Sequence, residues 1–281
     1  MTQMMAPLSS TAPDADPFRF GWRYRTYIGA SGLEETDILP LTLADLLHPE
    51  EGDHEVHSRD HERFCIYIHD VFADKVRHDP TAMVLHDMRV AWGDPEIEAH
   101  GPDIAVFFGV QERKNWRTFD CAVEQVMPAL LLEVTSPETR RVDLYEKLDE
   151  YGQLGIAWYF IVDSFIRRGE ELRRLMAYRH NGMELRPVDL DERGWVWIEP
   201  IGVYLGLDGN EVRLYERDGT PIDDYVERSA TLAAAQAEAV AVQAEAVAAQ
   251  AEAGRETRAR EAAEARVAEL EQELRRLRDQ G

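Results

Sequence analysis

The sequence predicts an α/β protein with a mixed β-sheet flanked by helices, in the order α-β-β-β-α-β, followed by a C-terminal coiled-coil helix. Three observations lead to this prediction. Hydrophobic spacing alternates between the helical and the strand pattern over the first 228 residues. Residues 129–134 are almost continuously apolar, as in a central strand covered on both faces. Beyond residue 228, glycine and proline nearly vanish and a heptad repeat begins.

The α-β-β-β part rests on periodicity. Residues 55–77 carry apolar side chains at helical spacing. Three segments typical of strands follow, at 83–92, 104–108 and 129–134. The first four elements of the sheet domain are predicted on this basis.

The remaining elements are delimited by capping and turn residues. Ser136 and Pro137 predict a helix start, with a capping hydroxyl and a proline in the first turn. Glycines at 152 and 155 predict its end, and 157–162 is a further apolar strand. Asn-Gly at 181 and Asp-Gly at 208 and 218 predict the turns of a trailing β-meander, the last two as hairpins.

Composition divides the chain into three parts. Residues 1–17 have neither a basic start nor an apolar core, which predicts a disordered tail rather than a signal peptide. Residues 18–228 form the α/β domain. Residues 229–281 are predicted to self-associate as a coiled coil, with a one-residue skip near Gly254; the alternative is a solitary solvated helix. The seam residues are Val240, Val247, Val267, Leu270, Leu274 and Leu277.

Bulk properties restrict the function classes. No apolar run approaches the ~20 residues that span a membrane. The two cysteines form no CxxC pair, which favours a reduced, cytoplasmic protein. The net charge of −23 argues against a nucleic-acid partner, because such proteins usually carry a basic surface. A metal site would soften this objection, since bound cations reverse the local field.

Two carboxylates stand out against apolar surroundings. Asp103 follows Pro102 at the start of the strand 104–108, where an ordinary turn carboxylate is the alternative. Glu133 lies inside an apolar strand, where a lone ionised acid would cost about several kcal/mol unless it were paired or metal-bound. The backbone carbonyl of Val134 would be a natural third oxygen ligand. Hard divalent cations take such oxygen ligands.

Lys147 is the candidate positive charge. It shares a helical face with Asp143 and Tyr151, beside the apolar stripe that should pack on the sheet. An ordinary Asp143–Lys147 helix pair explains the spacing equally well. Two carboxylates, a divalent metal and a lysine form the set that phosphodiester hydrolysis requires. A metal-dependent nuclease is therefore the leading hypothesis.

A histidine cluster at 54, 57 and 61 is a second candidate. His57 and His61 would share a helix face and could bind zinc. The HExxH signature is absent and no downstream ligand stands out. A surface or cleft-edge role is therefore favoured over a metal site.

The combined pattern resembles the Uma-two family, restriction-endonuclease-like proteins of the PD-(D/E)xK nuclease superfamily. The resemblance covers residues 35–200. The motifs that carry it are His61 with Phe64 and Ile68, Pro102-Asp103, Leu132 to Pro137, Asp143 with Lys147 and Tyr151-Gly152, and Gly155 to Asp163.

The resemblance implies a restriction-endonuclease-like fold and a Mg²⁺ or Mn²⁺ site. It assigns Asp103 and Glu133 as metal ligands, and Lys147 as the lysine that positions or deprotonates the attacking water. Thr135 stands where the superfamily usually has its lysine. DNA is the substrate that the family implies.

Two alternatives remain open at this point. The first is a catalytically inactive member of the fold that serves as a binding or assembly module and oligomerises through its coiled coil; the net charge of −23 favours it. The second is a coiled-coil scaffold with an incidental domain.

Overall fold

The computed structural model describes residues 16–279. They divide into two compact units, one ending at Ile222 and the other beginning at Asp223. Most of the predicted tail, residues 1–15, lies outside the described residues.

The described part of the first unit, residues 16–222, contains fourteen strands and four short or medium helices. The helices are α1 (Leu43–Leu47), α2 (Arg59–Val76), α3 (Cys121–Glu124) and α4 (Lys147–Gln153), the last preceded by a π-helical turn, Val142–Glu146. The first seven strands are β1 (Gly21–Ile28), β2 (Glu34–Pro40), β3 (Asp53–Glu55), β4 (Met83–His86), β5 (Arg89–Ala91), β6 (Ile104–Phe107) and β7 (Thr118–Asp120). The others are β8 (Pro128–Val134), β9 (Trp158–Arg167), β10 (Glu170–His180), β11 (Leu185–Pro187), β12 (Val196–Ile198), β13 (Val203–Asp208) and β14 (Glu211–Tyr215).

A six-stranded sheet organises this unit, in the order β11-β10-β9-β8-β6-β4. β8 and β9 run parallel and every other neighbouring pair of this sheet is antiparallel. The sheet is therefore mixed, and the predicted α/β class is confirmed. The helix α4 lies in the connection between the two parallel strands, as a parallel pair requires a crossover.

Both faces of the sheet are covered, which explains why β8 is apolar on both sides. On one face, α2 and the small sheet β12-β13-β14 pack against alternate residues such as Leu130 and Leu132. On the other, Leu131 packs with Leu144 and Tyr151, which lie in and after the π-helical turn. Side chains that alternate along one strand thus reach two different cores.

Two sequence predictions differ from the structure. The helix predicted from Glu55 begins only at Arg59, because residues 53–55 pair with β1 and the Ser58 side chain caps the helix by accepting a hydrogen bond from the His61 N–H. The strand predicted over 83–92 is divided into β4 and β5. Asp87, between them, has a φ of 49°, which breaks the extended backbone.

The second unit is a single helix, α5 (Tyr225–Asp279), of 55 residues. It continues without interruption through Gly254. The apolar seam side chains that the structure describes, Val240, Val247, Val267, Leu270 and Leu274, are all exposed on this one chain. No helix among residues 16–279 combines the length and apolarity needed to cross a membrane.

Candidate metal and catalytic site

The β6–β8 strand pair brings Asp103 and Glu133 together. Ile104 pairs with Leu132 in antiparallel register, so the preceding Asp103 faces the following Glu133. The Asp103 N–H donates to Glu133 Oε2 at 3.3 Å, and the Val134 N–H donates to Asp103 Oδ2 at 2.6 Å. Both acids are buried, at 8% and 3% exposure. The two residues that the sequence singled out therefore meet at one end of the sheet.

Lys147 reaches Glu133 from the helix that crosses from β8 to β9. Its Nζ lies 2.9 Å from Glu133 Oε1 and 2.8 Å from Asp143 Oδ1, the second contact being an ion pair without well-directed hydrogen-bond geometry. The Tyr151 hydroxyl also donates to Glu133 Oε1, at 3.3 Å. Lys147 closes the π-helical turn, since its N–H bonds to the Val142 carbonyl. Such turns occur often at functional sites.

His61 joins the same group from the other side of the sheet. Its Nε2 lies 3.0 Å from Asp103 Oδ1, and its side chain is 14% exposed. Burial disfavours the imidazolium, but the Asp103 carboxylate outweighs it and raises the pKa of His61 to about 9. The group thus connects α2 with α4 across the sheet end.

These side chains line a single cleft of about 380 Å³. Asp103, Glu133, Val134, Lys147 and His61 all border it. The volume is in the range of small-molecule and cofactor sites. The cleft therefore gives solvent and a ligand access to the buried carboxylates.

Acidic groups outnumber the cations in this cluster. Lys147 and His61 face three carboxylates, those of Asp103, Glu133 and Asp143. Burial, with the neighbouring Asp103 and Asp143, raises the pKa of Glu133 although Lys147 opposes the shift. Burial lowers the pKa of Lys147, but the attraction of Asp143 and Glu133 raises it by more. The pKa of Lys147 therefore lies well above its usual value, and the ammonium stays charged. A cation bound among these carboxyl groups would stabilise the ionised form of Glu133 and oppose the rise of its pKa.

Thr135 has a structural role in the sheet. It is 4% exposed, accepts a hydrogen bond from the Ser164 N–H at 2.9 Å, and its hydroxyl lies 3.3 Å from Asp163 Oδ1. Asp163 is in turn held by Arg140 and Arg174. The cleft's positive charge next to Glu133 therefore comes from Lys147 and not from position 135.

The histidine cluster is divided by the structure. His54 lies on β3, exposed and stacked on Trp22, with ring centroids 5.4 Å apart. His57 precedes α2, so the prediction that it shares a helix face with His61 is wrong. The two rings nevertheless stack, with centroids 4.6 Å apart.

A second group of potential ligands lies next to this stacked pair. One ligand atom each from Glu55, His57 and Asp87 lies within 4.8 Å of the others. Glu55 borders the same cleft, and burial, with the nearby Asp87, raises its pKa to about 8. Asp87 is 46% exposed, so this group is open to solvent.

Comparison with known proteins identifies the family. The model of the Uma2 (Uma-two) family, described as putative restriction endonuclease, matches residues 47–212, more than half of the chain. This chain belongs to the Uma2 family. The matched residues of this Uma2 protein include Asp103, Glu133 and Lys147 and the cleft that they border. Membership supports a nuclease-like role.

Two further comparisons add little. One similar solved structure is the crystal structure of a putative nuclease belonging to DUF820 from Anabaena variabilis ATCC 29413. It is 17% identical, the alignment covers 55% of this chain and 86% of that chain, and the TM-score is 0.37, too low to support an inference. No curated protein matches this Uma2 chain.

The residues present fit a divalent cation. Asp103 and Glu133 supply hard oxygen donors at the cleft, as Mg²⁺ and Mn²⁺ require. Glu133 Oε2 accepts from the Asp103 N–H and Asp103 Oδ2 accepts from the Val134 N–H, so each of these two oxygens keeps a second lone pair for a metal. The Val134 N–H points toward Asp103. In a β-strand the N–H and C=O of one residue point to the same side, so the Val134 carbonyl is directed to the Asp103 side as well.

Sequence reasoning missed several members of this site. Glu55, Cys65 and Asp87 were not singled out as ligands, and His61 was not linked to Asp103. The contact between His61 and Asp103 joins a helix to a strand 42 positions away, and no periodicity encodes such a distance. The local signal for His61 was its motif with Phe64 and Ile68, which belongs to the family resemblance.

Proposed function

We propose that this Uma2 protein is a metal-dependent endonuclease with a restriction-endonuclease-like core that hydrolyses phosphodiester bonds in DNA. The observation that carries the proposal is the pairing of Asp103 and Glu133 at the floor of a cleft, with Lys147 2.9 Å from Glu133. Family membership supports the nuclease class. Because the net charge of −23 repels phosphates, the bound metal and the cationic side chains of the cleft would have to attract the DNA phosphate.

In this proposal Asp103, Glu133 and the Val134 carbonyl hold Mg²⁺ or Mn²⁺. The bound ion would polarise the phosphoryl group and lower the pKa of a water. Lys147, held charged between two carboxylates, supports a role in orienting the attacking water and countering the charge that develops on the phosphate oxygens. Its charge speaks against deprotonation of the water by this lysine. Asp143 and Tyr151 would act as positioning residues.

The test is cleavage of supercoiled plasmid and single-stranded DNA at low salt with Mg²⁺, Mn²⁺ or EDTA. We expect nicking that requires the metal. In Asp103→Asn and Glu133→Gln it should fall by about 100-fold or more, the loss typical of removing one group that stabilises transition-state charge. Asp149→Asn is the matched control, because Asp149 is an exposed carboxylate on the same helix as Lys147 and outside the cleft.

Circular dichroism and thermal unfolding of each variant would exclude misfolding as the cause. Nicking that persists without metal, or that is equal in wild type and Asp103→Asn, would overturn the proposal. A wild-type protein that binds Mn²⁺ in calorimetry but cuts no DNA would favour the inactive binding module. The net charge of −23 and the presence of Thr135 in place of the superfamily's lysine are the observations that favour this second function.

The predicted coiled coil adds a further part to the proposal. Self-association through residues 229–281 would supply two clefts, one for each strand of a duplex. The exposed apolar seam of α5 supports this interpretation.

A further inference from the structure

The cleft has a soft ligand behind it that a Mg²⁺ site does not require. Cys65 follows His61 by one helical turn on α2 and is fully buried, at 0% exposure. Its sulfur, a ring nitrogen of His61 and a carboxylate oxygen of Asp103 all lie within 4.8 Å of one another. Three different donor types therefore converge from two elements.

Cys65 has no other polar role in the part of the chain that the structure describes. No side chain or backbone group among residues 16–279 makes a hydrogen bond with its thiol, and it forms no disulfide. A buried thiol aimed at a histidine and a carboxylate is a different situation from an inert core cysteine. Cys121 is such a core cysteine: it is 3% exposed and belongs to no comparable group among the described residues.

The spacing agrees with four-coordinate geometry. Tetrahedral zinc with bonds of about 2.1 Å to nitrogen or oxygen and about 2.3 Å to sulfur places its ligand atoms about 3.3–3.6 Å apart. His61 Nε2 and Asp103 Oδ1 are already 3.0 Å apart. The His61 ring is also held in place by the stacked His57 ring, 4.6 Å away. An ion here would replace the His61–Asp103 contact and draw in the Cys65 sulfur, which lies within 4.8 Å of both ligand atoms.

We propose that His61, Cys65 and Asp103 form a transition-metal site that prefers Zn²⁺-like ions to Mg²⁺. Thiolate and imidazole select borderline ions, whereas Mg²⁺ takes oxygen ligands. Three protein ligands leave a fourth position for water, and His61 and Asp103 border the cleft from which that water would come. The thiol proton of Cys65 and the imidazolium proton that His61 directs at Asp103 both leave to solvent as the sulfur and the ring nitrogen bind the ion. This inference goes beyond the proposed nuclease site and shares only Asp103 with it, since the other two ligands of the nuclease ion would be Glu133 and the Val134 carbonyl.

Cobalt reports the ligands directly. Co²⁺ titrated into the full-length, chelator-treated protein should produce a near-ultraviolet thiolate-to-cobalt charge-transfer band together with the visible bands of four-coordinate Co²⁺. One equivalent of Zn²⁺ should bleach both, and excess Mg²⁺ should not. Cys65→Ser should abolish the near-ultraviolet band, and His61→Gln should weaken Co²⁺ binding at least about 10-fold, as for loss of one group at a metal site.

Cys121→Ser is the matched control, since it removes the other buried thiol and should leave the spectrum unchanged. Circular dichroism of each variant verifies folding. A wild-type spectrum without the charge-transfer band would overturn the proposal, including the case in which Co²⁺ binds only at Glu55, His57 and Asp87. A band that survives in Cys65→Ser, or that disappears in Cys121→Ser, would overturn it equally.

The same variants separate this inference from the nuclease proposal. A cobalt band that depends on Cys65, in a protein that cuts no DNA with any metal, would retain the site and reject the nuclease. Mg²⁺-dependent cleavage without a cobalt band would retain the nuclease and reject the His61, Cys65 and Asp103 site.

Discussion

At the residue scale, Glu133 shows why a buried acid in a strand is informative. Lys147 and Tyr151 donate to Glu133 Oε1, and the Asp103 N–H donates to Oε2, so both carboxylate oxygens have hydrogen-bond donors. This arrangement requires that the Lys147 ammonium be desolvated, which costs free energy. Asp143 shares the same lysine. A structural salt bridge and the proposed functional site are therefore not exclusive here, because one ion pair would serve both.

Removing the lysine should destabilise the protein strongly. Lys147→Met would leave Glu133 and Asp143 buried without their cation, at 4% and 2% side-chain exposure. We expect the free energy of unfolding in urea to fall by about 3–5 kcal/mol. Adding Glu133→Gln should recover part of this loss.

Lys114→Met provides the comparison for that measurement. Lys114 is 45% exposed and pairs with Glu124, so its removal should cost less than about 1 kcal/mol. Equal losses at the two positions would show that Lys147 contributes no more than a surface lysine.

A second residue-scale effect concerns His100 and pH. The side chain is 1% exposed, and Nε2 lies 3.0 Å from Glu150 Oε2 without good hydrogen-bond geometry. Burial lowers the pKa of His100 below the ordinary value of 6.5, although Glu150 opposes the shift. The unfolded chain therefore takes up this proton at a higher pH than the folded chain. The stability that the neutral ring contributes is present above pH 6.5 and is lost as the pH falls through the folded pKa.

His100→Gln tests this sign. The difference in the free energy of unfolding between wild type and variant should shrink as the pH is lowered from about 7.5 to about 5, because only the wild type loses the histidine contribution. Urea titrations in a chelator would measure it. His78→Gln, at an exposed position, is the control. A difference that stays constant with pH would contradict the expectation.

At the element scale, the N-terminal ends of α2 and α4 explain how the site is assembled. Ser58 fixes the start of α2, which places His61 in the first turn and next to Asp103. The π-helical turn before α4 places Lys147 over Glu133. The positions of helix starts, which sequence patterns locate least well, therefore decide which side chains reach the cleft.

The helix α5 gives the prediction that belongs to this scale. Leu270 and Leu274, 45% and 56% exposed on the single chain, lie on the predicted seam. Light scattering of the full-length protein should give at least twice the mass of one chain, and Leu270→Glu with Leu274→Glu should reduce it, because charges in the seam oppose association.

Gln272→Glu adds a charge on the opposite side of the same turn and should leave the mass unchanged. A wild-type protein with the mass of one chain, or a double variant with the wild-type mass, would contradict the coiled-coil prediction.

At the scale of the whole molecule, the net charge and the cleft residues give different indications of whether the partner is a nucleic acid. The value of −23 describes the chain as a whole and argues against a nucleic-acid partner. The cleft concentrates carboxylates, as the proposed metal site would require. Charge totals therefore cannot decide the partner, and the position of the charges relative to the cleft is the relevant quantity.

The sequence by itself determined the α/β class, the long C-terminal helix and the choice of Asp103, Glu133 and Lys147 as candidate site residues. Each has a local cause: hydrophobic period, heptad spacing, or an acid within an apolar run. Only the tertiary structure decided the start of α2 and the meeting of His61 and Cys65 with Asp103. Those depend on cap hydrogen bonds, strand register and packing between elements distant in sequence, which no local pattern contains.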